Sequence, residues 1–258
     1  MADRSWLREM SVEAEKRVAL VTGGGGGIGI ATCRALCDTG VRVIIGDLLA
    51  ERAQQGAASL RAEGFDATAA VIDVSERASV DRVFDEILSV HGRLDILANL
   101  AGVVRNDSIA KIKDEDFDLT IASHLRGTLN CIRAAIPTMR KQRYGRIVNM
   151  SSVAALGTIG GASYGAAKGA IESMARTAAR ELAADNITVN CVAPGLIRAG
   201  MFLTTPQQFQ AAGIERTPMK RAGSPEEVAA CIAFFASSAA SFVTGQTLYV
   251  CGGLSVGF

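Results

Sequence analysis

The stretch that decides the fold is Val18-Ala19-Leu20-Val21-Thr22-Gly23-Gly24-Gly25-Gly26-Gly27-Ile28-Gly29. Its first five residues are mostly branched and apolar and read as a short buried strand. The glycine run follows, and after it a helix-compatible segment around Ala31, Leu36 and Cys37. Strand, glycine turn and helix in that order bring free backbone N–H groups and the positive end of a helix dipole to one point. Glycine allows the turn to be tight and allows a pyrophosphate to approach the backbone closely. A glycine motif alone is weak evidence, and its setting between a strand and a helix gives it weight.

The alternation continues outward from this turn. Further strands are expected over residues 42–47, 67–73, 94–99, 146–151, 188–193 and 247–250, with helices over 31–38, 50–63, 79–90 and 163–182 between them. Runs such as Val41-Arg42-Val43-Ile44-Ile45 suit strands buried on both faces of a parallel sheet. The spacing implies right-handed βαβ units. The predicted fold is α/β: a Rossmann-type, doubly wound, seven-stranded parallel sheet with helices on both faces. Residues 1–16 read as an extension, and 17–258 as one domain. The irregular segment of about 196–223 holds Gly200, Pro206, Gly213 and Pro218 and reads as a substrate lid.

Composition excludes several classes. With 27 basic and 26 acidic residues, the chain has no basic footprint for nucleic acid. No run approaches the ~18 apolar residues of a membrane span. The N-terminal residues mix acids and bases, unlike a signal peptide. Six scattered cysteines with no CxxC pair suggest reduced thiols and a cytoplasmic protein. Cys33 and Cys37 share a helix face, but with only His91 and His124 in the chain no metal site is expected.

Asp47 ends the second strand, where a carboxylate can accept hydrogen bonds from the adenosine ribose hydroxyls of a dinucleotide. It would repel a 2′-phosphate, and neither the glycine turn nor Leu48-Leu49 supplies a cation to offset that. The expected cofactor is therefore NAD. Asp47 also suits the start of the following helix, which is compatible with ribose binding. Tyr164 and Lys168 stand four residues apart in a helical stretch and share a face. An ammonium beside a phenol favours the phenolate, and a phenol tuned toward neutrality can exchange a proton with a hydroxyl or carbonyl oxygen.

Taken together, these residues resemble the short-chain dehydrogenase/reductase family, in its compact branch, over about 17–253. The landmarks occur in the family's order: Thr22-Gly23, Gly27-Ile28-Gly29, Asp73-Val74, Asn99-Leu100-Ala101-Gly102, Arg146 to Ser152, Tyr164 with Lys168, Pro194-Gly195, and Gly252-Gly253. The resemblance implies Tyr164 as general acid/base. Lys168 would lower its pKa and hold the nicotinamide ribose. A serine after the fifth strand would hold the substrate oxygen as charge develops on it. Gly23, Gly27, Ile28, Gly29, Asp47 and Leu48 would hold the adenosine and pyrophosphate. Asp73 and Val74 would meet the adenine, Asn99, Ala101 and Gly102 would line the cleft, and Pro194, Gly195 and Ile197 would face the nicotinamide. The resemblance also implies a homotetramer, built on the helical region 113–139 and the tyrosine helix, with a second interface near the C-terminus.

This chain departs from the family pattern in several places. Leu100 replaces a second asparagine. His124 replaces the asparagine that holds a water behind the lysine, and imidazole can donate and accept in its place or serve as a packed, satisfied side chain. The serine-to-tyrosine spacing is one residue short. Counting from the strand selects Ser152, counting back from Tyr164 selects Ser151, and loops absorb deletions more readily than strands, which favours Ser152. Ala199 stands where a threonine often bonds the carboxamide, and Cys251 replaces an aspartate.

Apolar lid residues (Met201, Phe202, Leu203, Phe209, Ile214), with Ala155, Leu156 and Ile159, favour a hydrophobic, even alicyclic, secondary alcohol or its ketone as substrate. The alternative is a 3-oxoacyl-thioester reductase or 3-hydroxyacyl-CoA dehydrogenase, with Arg140, Lys141 and Arg143 as a basic cluster. The contrasting class is a non-catalytic NAD-binding sensor, against which the intact serine, tyrosine and lysine argue.

Overall fold

A computed structural model describes residues 16–256, so most of the expected N-terminal extension lies outside the described residues. Seven strands form one sheet in the order β3-β2-β1-β4-β5-β6-β7. They are β1 (Val18–Thr22), β2 (Arg42–Asp47), β3 (Ala67–Val71), β4 (Ile96–Asn99), β5 (Gly145–Met150), β6 (Ile187–Pro194) and β7 (Thr247–Val250). Every neighbouring pair is parallel. The helices between them are α1 (Gly27–Cys37), α2 (Ala50–Ala62), α3 (Arg77–His91), α4 (Asp114–Ile121), α5 (Gly127–Gln142) and α6 (Ala162–Leu182). Two short helices, α7 (Met201–Thr204) and α8 (Gln207–Arg216), lie in the segment expected to form a lid, and α9 (Pro225–Ala236) precedes β7.

Period-two alternation in β1 divides the core between the two faces of the sheet. Val18 and Leu20 pack with Val80, Phe84, Met139 and Ile171, from α3, α5 and α6. Ala19 and Val21 pack on the other face with Leu36, Leu60, Val228 and Ile232, from α1, α2 and α9. Each such aliphatic chain taken fully out of water contributes about 1.5–3 kcal/mol.

β1 pairs with β2 on one side and β4 on the other, so strand order reverses there. The connections leaving β1 and β4 diverge and open a crevice at the carboxyl ends of the strands, where such sheets bind ligands.

The structure shifts some expected boundaries. β3 stops at Val71, because this edge strand is half exposed and the chain turns away toward α3. β4 begins at Ile96, just after Asp95, whose side chain accepts from the Val18 amide at 2.8 Å and pairs with Arg93. The long helical region expected around 113–139 is interrupted by a π-helical turn, Ala122–Arg126, between α4 and α5.

Candidate active site

The crevice is a cleft of about 590 Å³. Its floor is the turn between β1 and α1. Gly23 there has a φ of +64°, and a Cβ on it would stand 2.9 Å from the backbone of Ala101, so the chain after β4 passes too close for any side chain. The Thr22 hydroxyl accepts from the amides of Leu100 and Ala101 at 3.2 and 3.3 Å and ties the two strand ends together. Gly23, Gly27, Ile28 and Gly29 all line the cleft.

Asp47 lies at one end of the cleft, nearly buried. Its Oδ2 accepts from the Gly25 amide at 3.2 Å and its Oδ1 from the Leu49 amide at 3.1 Å. Leu49, not Asp47, is the residue preceding α2, so Asp47 acts as a brace between the glycine turn and the chain entering that helix. Each oxygen retains a lone pair, which fits the site to a ribose diol. Leu48, Asp73 and Val74 line the same end. So does Arg52, an exposed residue in the first turn of α2, with Gly25 packed against it. The sequence alone does not reveal this cation, because Arg52 lies beyond Leu48-Leu49, the residues that directly follow Asp47. Arg52 is the third residue of the helix that begins at Ala50, and the first turn of that helix packs against Gly25 at this edge.

Ala101, Gly102, Pro194, Gly195 and Ile197 line the middle of the cleft as expected. Asn99 does not. It is buried behind the lining and donates through Nδ2 to Asn149 Oδ1 at 2.9 Å, joining β4 to β5. The correction follows from register: Asn99 is the last paired residue of β4, opposite Asn149, still inside the sheet.

Tyr164, Lys168, Ser152 and His124 meet at the other end. Tyr164 and Lys168 lie on adjacent turns of α6, with Lys168 Nζ 5.4 Å from the Tyr164 ring centroid. Lys168 is 2% exposed, and its ammonium donates to the Met150 carbonyl at 2.7 Å. Burial lowers its pKa from 10.5 to about 7. Burial also raises the Tyr164 pKa, opposed by hydrogen bonding with the Ser152 side chain. The lowering of Tyr164 expected from Lys168 is therefore not the leading effect in this structure. The lysine is itself desolvated and carries its full charge only below about pH 7.

The two serines separate clearly. Ser151 is 1% exposed and donates to Glu172 Oε1 at 2.7 Å. Ser152, in extended conformation just past β5, caps the short 3-10 turn Val153–Leu156 and interacts with Tyr164.

His124 sits in the π-helical turn, edge-on to Tyr164 with ring centroids 5.2 Å apart. Its Nε2 lies 2.8 Å from the Val103 carbonyl, which can only accept, so Nε2 carries the hydrogen. Nδ1 is then an acceptor, buried and unpartnered. Desolvation, helped by the nearby Lys168 charge, lowers the His124 pKa to about 2, so the ring stays neutral. The backbone of Gly102 is so close to this ring that no Cβ fits. Among the described residues no cluster of side chains suits a metal ion.

Comparison with known proteins agrees with this geometry. A family described as Enoyl-(Acyl carrier protein) reductase matches residues 23–255. The chain is 39% identical to the (2S)-[(R)-hydroxy(phenyl)methyl]succinyl-CoA dehydrogenase subunit BbsD of Thauera aromatica, over 94% of this chain and 98% of that one. It is 38% identical to the 3-oxoacyl-[acyl-carrier-protein] reductase FabG of Thermotoga maritima, over 94% and 99%. The crystal structure of gox2181 superposes with a TM-score of 0.91 at 33% identity, covering 94% of this chain and 97% of that one. On fold, cleft and sequence alike, this chain belongs to the short-chain dehydrogenase/reductase family of oxidoreductases.

Proposed function

We propose that this protein is an NAD-dependent oxidoreductase interconverting a 3-hydroxyacyl thioester and its 3-oxoacyl form. The sequence favoured a free hydrophobic alcohol, with the thioester as the alternative. The relatives reverse that order, since one is named for a hydroxy-acyl-CoA substrate and others for 3-oxoacyl-carrier substrates. The reacting group, a secondary alcohol or ketone, is the same in both readings. Phe202 and Phe209 from the lid segment line the cleft and suit the apolar body of an acyl group.

The observation that carries the reading is the convergence of Tyr164, Lys168 and Ser152 at one end of a cleft whose other end holds Asp47. A bound nicotinamide dinucleotide supplies or accepts the hydride. Tyr164 gives a proton to the substrate oxygen or takes one from it. Ser152 donates a hydrogen bond to that oxygen. Lys168, held by Met150, presents its remaining donors to the ribose and lowers the cost of the phenolate whenever it is charged. Nδ1 of His124, buried beside Tyr164 and kept an acceptor by the bond from Nε2 to Val103, can take a hydrogen bond from a group at the Tyr164 end of the cleft.

NAD is favoured because Asp47, at the end of β2, keeps the capacity to accept hydrogen bonds from a ribose diol. Residues 196–223 form the substrate lid. A cytoplasmic location is supported by six cysteines that are all free, and no described helix is long and apolar enough to cross a membrane. A homotetramer is supported by exposed Phe242 and Leu248 near the C-terminus. Steady-state assays with NAD and NADP test this reading, using 3-hydroxybutyryl-CoA, acetoacetyl-CoA, the acyl-carrier forms and cyclohexanol. Turnover should be highest with a thioester and NAD. Faster turnover of the free alcohol restores the first reading, and cofactor binding with no turnover across the panel indicates a sensor.

A further inference from the structure

Lys168 is not the last functional rung of α6. Tyr164, Lys168 and Glu172 recur at four-residue intervals and share one face of the helix. Glu172 is 9% exposed, an unusual place for a carboxylate. Its Oε1 accepts from the Ser151 hydroxyl at 2.7 Å and from the Tyr249 hydroxyl at 3.3 Å, while its Oε2 stands 4.0 Å from the Arg176 guanidinium. One side chain of α6 thus joins the end of β5, through Ser151, to β7, through Tyr249. Its charge is felt inside the protein. The Cys191 thiol on β6 is pushed up to about 12, first by burial and next by this carboxylate.

We infer that Glu172 is a positioning residue for the reaction, setting Ser152 against Tyr164 by holding Ser151. The inference rests on Ser152 being the residue that holds the substrate oxygen. The Ser151 hydroxyl has one hydrogen to give, and the carboxylate at 2.7 Å takes it in preference to the Lys168 carbonyl at 3.4 Å. The Ser151 amide is already committed to the Val192 carbonyl at 2.8 Å. With backbone and side chain both tied, Ser151 has no rotational freedom left, and the peptide leading into Ser152 inherits that fixity. Directly before it, the Met150 carbonyl receives the Lys168 ammonium. Two bonds one turn apart on α6 therefore clamp two consecutive residues of the β5 end, Met150 and Ser151, directly before Ser152. Without the Glu172 bond, the Ser151 hydroxyl would be a buried donor seeking another acceptor, and the nearest is the Lys168 carbonyl. Satisfying it there shifts the strand end that carries Ser152. Displacement of a positioning group by a fraction of an ångström to an ångström costs about 10–100-fold in rate.

The same geometry explains why the chain can carry two adjacent serines without ambiguity. Both serines line the cleft, but the hydroxyl nearer the strand gives its hydrogen to the carboxylate while the next interacts with Tyr164.

The test is a double-mutant cycle on the full-length protein, with Ser152→Ala as a separate control. Measurements are kcat and KM on the best thioester, and NADH affinity by fluorescence titration. Glu172→Leu and Ser151→Ala should each lower kcat about tenfold, with NADH affinity within about twofold of wild type. The double variant should be no slower than either single one, because both remove the same bond. Glu172→Gln keeps an acceptor at Oε1 and should retain activity within about threefold of wild type. If Glu172→Leu does not fold, Ser151→Ala, which removes one hydroxyl, carries the test alone. Unchanged kcat in Ser151→Ala, or losses that multiply in the double variant, overturns the inference. Full activity in Ser152→Ala overturns instead the assignment of Ser152, so the two failures are distinguishable.

Discussion

Nε2 of His124 donates to the Val103 carbonyl at 2.8 Å, and this single bond fixes what the imidazole can do. It places the only free lone pair of the ring on Nδ1, in a buried position with no protein partner. A ring held neutral in this way is an acceptor for a water or a donor group and cannot act as a cation. His124→Leu should lower kcat about 10–100-fold, and His124→Asn, which restores an acceptor, should recover part of that loss. Because the His124 pKa is lowered to about 2, no limb near pH 6.5 in the kcat profile should disappear in His124→Asn. Loss of such a limb would show that the ring titrates during turnover.

Gly102 makes a related prediction. A methyl group at this position would overlap the His124 ring. Gly102→Ala should cost about 1–3 kcal/mol of stability through overpacking, and should depress kcat by displacing the imidazole. Thermal unfolding and steady-state kinetics on the same preparation check both effects.

Much of this site is readable in the sequence because it depends on local chain chemistry. The strand, glycine turn and helix around Gly23 need only neighbouring residues, and Tyr164 and Lys168 meet through helix periodicity. The less legible parts depend on contacts distant in sequence. Nothing near Asn99 shows that it pairs with Asn149, fifty positions away, and so stays behind the cleft lining. That the Ser151 hydroxyl is engaged by Glu172, a residue with no distinguishing motif, shows only in space. The π-helical turn that carries His124 is invisible to apolar periodicity, since inserting one residue into a helical turn changes no residue type.

Asp47 and Arg52 line the same cleft, and on the proposed reading they set cofactor choice. Asp47→Ala should weaken NADH binding about tenfold and NADPH binding less, because it removes the acceptor for a diol and a repulsive charge together. Arg52→Ala should leave NADH affinity within about twofold and weaken whatever NADPH binding exists. Fluorescence titration of the four pairings tests this. Equal loss of both cofactors in Asp47→Ala would contradict the ribose assignment.

The buried ammonium of Lys168 predicts a pH dependence of stability. Its folded pKa, about 7, lies below its ordinary value of 10.5. Between these values the unfolded chain holds a proton that the folded chain does not, so this group makes folding more favourable as pH rises from 7 toward 10.5. Its contribution is fully present above that range and is lost as pH falls through 7. Lys168→Met should remove this rise, on the order of a few kcal/mol, from the difference in unfolding free energy between pH 7 and pH 10. Urea denaturation at the two pH values measures it, and an unchanged slope would show that the ammonium stays charged in the folded protein.

The central claim is that the Tyr164 hydroxyl carries the proton of the reaction, and Tyr164→Phe tests it most directly. Thioester turnover and NADH affinity are measured on the same variant. The account predicts that turnover falls about 10³-fold or more while NADH affinity stays within about threefold of wild type. Turnover near the wild-type rate in Tyr164→Phe would contradict it.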